Sequence, residues 1–113
     1  MAVGALDDDV TDIYMGAPWF SDIGGQNIGR FPGTLKPAYT DALMYYDCAS
    51  LATLVDEDVQ AILTAGLGDR ICPPSGIITV YNALNCKKSI SVTQNGDHAY
   101  TPPVKIVYVM KNH

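Results

Sequence analysis

The closing segment, Val104-Lys105-Ile106-Val107-Tyr108-Val109-Met110-Lys111, constrains this chain most, because apolar residues occupy both faces of what reads as a β-strand. Val104, Ile106, Tyr108 and Met110 project to one side, and Val107 and Val109 to the other, between Lys105 and Lys111. Such a strand needs cover on two sides, and a single small domain rarely supplies both. The pattern therefore predicts a β-rich domain whose leftover apolar surface meets neighbouring chains.

The 113 residues suffice for one domain, 48% apolar and 17% charged, well inside the globular range. A net charge of −5 and a pI near 4.6 argue against a phosphate-binding surface, since nucleic-acid affinity rests on clustered Lys and Arg and only Lys87-Lys88 are adjacent. The same balance disfavours an anionic membrane, and no apolar run approaches the roughly 20 residues of a membrane span. Met1 to Val10 shows neither a basic region nor an apolar core of a signal peptide, so synthesis in the cytoplasm is expected. Cys48, Cys72 and Cys86 lack any C-x-x-C pairing, which speaks against a disulfide framework and a structural zinc site. A bridge between Cys72 and Cys86 is the one pairing worth checking.

Along the chain, residues 1–38 read as an extended arm. Gly16, Pro18, Gly24, Gly25, Gly29, Pro32, Gly33 and Pro37 interrupt any regular element there, while Trp19, Phe20 and Phe31 give it aromatic surface. Residues 40–55 are ambiguous between helix and strand. Asp56 as N-cap, acidic Glu57 and Asp58, the apolar Val59, Ile62 and Leu63, and a stop at Gly66 predict a helix over 56–66. Beyond the turn at Cys72-Pro73-Pro74, the β-branched run Ile77 to Tyr81 and the alternation Lys88 to Thr93 predict strands, and Asn95-Gly96 predicts a hairpin. Together these give an α+β, predominantly β fold: a small antiparallel sandwich or barrel over 39–113, one short helix, and the arm, as a single domain.

Chemistry is sparsely signalled. The Asp7-Asp8-Asp9 and Asp12 cluster fails the EF-hand spacing, and Gly24-Gly25-Gln26-Asn27-Ile28-Gly29 lacks the Lys-Ser/Thr of a P-loop. His98 reads as a solvated turn residue, Asp69-Arg70 as a local surface pair, and the cysteines as inert packing. No catalytic residue, metal or cofactor is expected. The leading expectation is a non-enzymatic structural subunit of an ordered assembly, a virion component such as a capsid decoration or tail protein. Its partners would be copies of itself or other subunits, with no nucleic acid and no membrane, and its contacts Trp19, Phe20, Phe31, Val107 and Val109. The alternatives are a binding module presenting the aromatic loop to a glycan or protein, and a small hydrolase using Cys48 or paired acids.

Overall fold

The computed structural model describes residues 1–29, 38–98, 100 and 102–112. In chain order the elements are α1 (Ala2–Leu6), β1 (Asp12–Gly16), α2 (Ile23–Asn27), a 3-10 helix (Asp41–Tyr45), α3 (Cys48–Ala52), β2 (Gln60–Gly66), α4 (Pro74–Ala83), β3 (Lys87–Thr93) and β4 (Val107–Asn112). The strands form one sheet in the order β1-β2-β3-β4. β1, β2 and β3 are parallel neighbours, and β4 runs antiparallel to β3. Parallel pairing requires a crossover, and α4 supplies the one between β2 and β3.

This sheet overturns the expected antiparallel sandwich or barrel, and two exchanged elements account for the difference. The segment expected as a helix over 56–66 is β2, in which Ala61, Leu63 and Ala65 alternate inward. Asp56 closes a turn before the strand: its side chain accepts from the Asp58 amide at 3.1 Å and its carbonyl from the Val59 amide at 3.2 Å. The segment expected as a strand over 77–81 belongs to α4. Ile77, Val80, Tyr81 and Leu84 recur at the i, i+3, i+4, i+7 spacing and are all buried, while Pro74 opens the helix where its missing amide costs nothing. Burial of a helical stripe outweighs the β preference of Ile77, Ile78, Thr79 and Val80.

The extended arm is also corrected. β1 lies within it and pairs with β2, burying Ile13 and Met15, and Ile23 of α2 is buried as well. β3 matches the alternation read from sequence, but no two-residue hairpin joins it to β4. The connection runs through residues 94–106, with the Gln94 amide donating to the Ile106 carbonyl at 2.9 Å.

One face of the sheet carries the core, where Ile13, Met15, Ala61, Leu63, Ala65, Ile90 and Val92 meet Ala52 of α3 and Ile77, Val80 and Tyr81 of α4. The opposite face is open. Register sets Tyr14, Ile62, Ser89 and Lys111 in one cross-strand row and Gly16, Thr64, Ser91 and Val109 in the next. Tyr14 is 72% exposed, and Val107 and Val109 of β4 are exposed too. Sheets built of parallel strands ordinarily have both faces covered.

Asp47 fastens the first crossover. Its fully buried carboxylate accepts from the backbone amides of Asp22 (2.9 Å), Ile23 (2.5 Å) and Ala49 (2.8 Å), so one side chain caps α3 and holds the start of α2. At the far end of α4, the Lys88 ammonium donates to the carbonyls of Tyr81 (2.7 Å) and Leu84 (2.6 Å) and lies 4.8 Å from the Tyr81 ring centre. A cation there matches the negative helix terminus. Asp47→Ala strands three amides in the interior, and urea unfolding should show a loss of about 3 kcal/mol. A loss under about 1 kcal/mol would show that water replaces the carboxylate.

Candidate active site

The segments that follow the parallel strands bring together groups far apart in sequence. β2 ends at Gly66, and a tight turn, with the Asp69 amide donating to the Gly66 carbonyl at 3.1 Å, places Asp69 just beyond it. β3 ends at Thr93, and His98 lies just beyond that. Crevices outside the carboxyl ends of parallel strands are where open α/β sheets bind ligands, because neighbouring loops diverge there.

Both oxygens of Asp69 are engaged. Oδ1 accepts from the amides of Ile71 (2.9 Å) and Cys72 (2.8 Å), which turns the chain into α4, and Oδ2 lies 3.1 Å from His98 Nδ1. The Asp69 side chain is fully buried, whereas that of His98 is 42% exposed. A carboxylate only accepts, so Nδ1 carries the ring proton and Nε2 is left with a lone pair facing away from Asp69. A histidine set against a buried acid in this way can be held in one tautomer, as the orienting half of a nucleophile–histidine–acid relay requires.

Two glycines permit the approach. A Cβ on Gly66 would lie 2.5 Å from the Gly96 carbonyl oxygen, so only a bare backbone lets the end of β2 pass beneath the loop that carries His98. The Gly68 amide donates to that same carbonyl at 2.9 Å. Asp97 secures the loop, its amide donating to the Tyr100 carbonyl at 3.1 Å and its side chain accepting from the Tyr100 amide at 2.6 Å. Beside His98 opens a cavity of about 200 Å³, lined by Ala17, Thr64, Gly66, Thr93 and Tyr100 among others.

The expected readings of these residues are therefore corrected. His98 is solvent-exposed, as expected of a turn residue, but lies against a buried acid, and Asp69 is buried where a surface position was expected. Cys72 also stands at this site, yet burial, aided by the Asp69 charge, pushes its thiol up to about 11. A neutral buried thiol is a poor nucleophile. Burial likewise raises Cys48, whose Sγ donates to the Trp19 carbonyl at 3.3 Å, and Cys86. All three cysteines are free, so Cys72 and Cys86 are not bridged.

Of the expected partner contacts, Trp19 is 46% exposed, packs edge-on against Phe20 with ring centroids 4.9 Å apart, and follows β1 at the same end of the sheet as Asp69 and His98. Val107 and Val109 lie on the open face of β4, with Val107 in register with Thr93 at the carboxyl end of β3, and Phe31 is outside the described residues.

The sequence profile of the acetyl xylan esterase family matches residues 36–112, about two thirds of the 113-residue chain. The chain belongs to the acetyl xylan esterase family. That membership overturns the expected non-enzymatic virion subunit and points to a hydrolase. The acetyl esterase of Xylanibacter ruminicola is 24% identical over 107 residues, which cover 87% of this chain and 24% of that protein. The crystal structure of acetyl xylan esterase 1 from Thermoanaerobacterium sp. superposes with a TM-score of 0.66 at 24% identity, covering 88% of this chain and 36% of that one. The likeness gives the family member an α/β-hydrolase-like fold with a mostly parallel sheet. This chain spans about a quarter of the curated relative and about a third of the solved enzyme. Among the described residues no helix is long and apolar enough to cross a membrane.

Gly66→Ala tests the close crossing. The added methyl must displace backbone, so thermal unfolding should show about 1–3 kcal/mol of destabilisation, while Gly16→Ala, whose Cβ would meet only Thr64 Oγ1 at 3.7 Å, should lose less. Equal losses would remove the crossing as a constraint.

Proposed function

We propose that this chain supplies the acid and the histidine of a serine esterase that removes acetyl groups from a xylan-type polysaccharide. The observation that carries the reading is the Asp69–His98 pair at the carboxyl ends of adjacent parallel strands. In α/β-hydrolases the triad runs Ser, acid, His along the chain, and Asp69 precedes His98 in that order. The 113 residues contain no G-x-S-x-G elbow, so the nucleophile is assigned to a part of the longer esterase outside them. The short coverage of both relatives is consistent with this.

In the reaction, His98 Nε2 takes the serine proton as the hydroxyl attacks the acetyl carbonyl, then gives it to the departing sugar oxygen. Water, deprotonated by the same nitrogen, releases acetate from the acyl-enzyme. Asp69 keeps the proton at Nδ1 and stabilises the imidazolium formed at each step. The cavity beside His98 is the place for the acetyl group, and Trp19, with Phe20 behind it, is assigned to contact with the carbohydrate. The open sheet face, Val107 and Val109 included, is assigned to cover by the rest of the esterase instead of by copies of this chain.

Exchanging this chain for the aligned third of the Thermoanaerobacterium enzyme tests the assignment. A hybrid with native-like circular dichroism should hydrolyse acetylated xylan, and Asp69→Asn should lower its kcat by about 10⁴-fold, with His98→Ala comparable. A folded hybrid that is inactive, or one indifferent to His98→Ala, would refute it.

A further inference from the structure

Asp69, Cys72 and His98 form the one group of three or more potential metal ligands among the described residues, with a carboxylate oxygen, a thiol sulfur and a ring nitrogen all within 4.8 Å of one another. Ester hydrolysis by a serine triad uses the first and the third and gives the sulfur no part. We propose that this trio is a binding site for a soft divalent cation of the zinc class, and that occupation switches the acid–histidine pair off. Binding rests on the three side chains alone, and the switching-off rests on the proposed esterase role of the pair.

The donor set suits such an ion. Thiolate, imidazole and carboxylate are the three ligand types of zinc, at about 2.3, 2.0–2.1 and 2.0–2.2 Å, and three protein ligands leave a fourth tetrahedral position open. In a tetrahedron those lengths place donor atoms about 3.4–3.6 Å apart. Asp69 Oδ2 and His98 Nδ1 already lie 3.1 Å apart, and the sulfur has at most about 1.4 Å to close. The part that has to adjust is the exposed imidazole on the loop, while Asp69 and Cys72 sit buried on either side of the turn into α4. The Asp69 Oδ1 bonds to the Ile71 and Cys72 amides fix the carboxylate from behind, as outer-shell contacts do in metal sites. The exposed His98 edge gives the ion its entry.

On binding, Cys72 releases its thiol proton to solvent and coordinates as thiolate, and the His98 proton moves to whichever ring nitrogen the ion does not take. The ion then occupies Asp69 Oδ2, so the Nδ1–H to carboxylate bond is lost. Hard cations such as calcium and magnesium, which prefer oxygen, should not compete.

Titration of the 113-residue chain with cobalt(II) reads the site directly. A thiolate-to-cobalt charge-transfer band in the near ultraviolet should grow to one equivalent and vanish on addition of zinc. Cys72→Ser should abolish the band, and His98→Gln, a change at an exposed position that leaves the core intact, should weaken binding at least about tenfold. Cys48→Ser and Cys86→Ser should leave both unchanged. No band in the wild-type chain, a band that survives Cys72→Ser, or equal affinity in His98→Gln would overturn the proposal. Should Cys72→Ser fail to fold, the His98→Gln comparison decides alone.

Discussion

The contact between the Asp69 carboxylate and His98 orders the carboxyl end of this sheet. A carboxylate with no solvent exposure needs its lone pairs satisfied, since an unpaired buried charge is far costlier than the fold can carry. Asp69 meets that demand locally through the two amides of the turn into α4 and at long range through an imidazole 29 residues away. The first set places the helix start, and the second ties the loop after β3 to the loop after β2. Gly66 makes the tie possible by letting the two backbones pass at a separation no side chain there tolerates.

The same arrangement underlies the chemistry proposed for this chain. An imidazole alone on a turn would exchange tautomers and orientations freely. Held by a buried acid beside a cavity, it can keep one nitrogen as a proton acceptor, which general base catalysis requires. Cys72, whose amide also donates to Asp69, shares the neighbourhood but not the role, because burial beside a carboxylate pushes its thiol up. Membership of the acetyl xylan esterase family and the mostly parallel sheet give the pair its context. One sheet face stays open, and the chain spans about a quarter of one relative and about a third of the other.

Part of this was legible in the sequence. The alternation of Lys88 to Thr93 marks β3, and the two-faced apolar run at the end marks β4 and its need for cover. The helical stripe of Ile77, Val80, Tyr81 and Leu84 was equally present, but β-branched propensity hid it, and the acidic residues 56–58 imitated a helix cap where they close a turn. Once those two elements are exchanged, a strand–turn–helix–strand unit emerges from residues 60–93, and Asp69 falls where parallel sheets place functional groups. His98 could not be found by local pattern, since its partner is distant and its surroundings read as an ordinary Asn-Gly turn. A reading that asked which polar residues follow each strand, before asking which residues neighbour each other, would have singled out both.

The acid–base pair depends on the ring proton of His98 sitting on Nδ1. A long-range proton–nitrogen correlation spectrum of the chain, with the imidazole neutral, should show that proton on Nδ1, and Asp69→Asn should redistribute it toward Nε2 as the amide presents its own N–H to the ring. A wild-type ring protonated at Nε2, or one whose tautomer is indifferent to Asp69→Asn, would mean that the two residues are neighbours without being an acid–base pair.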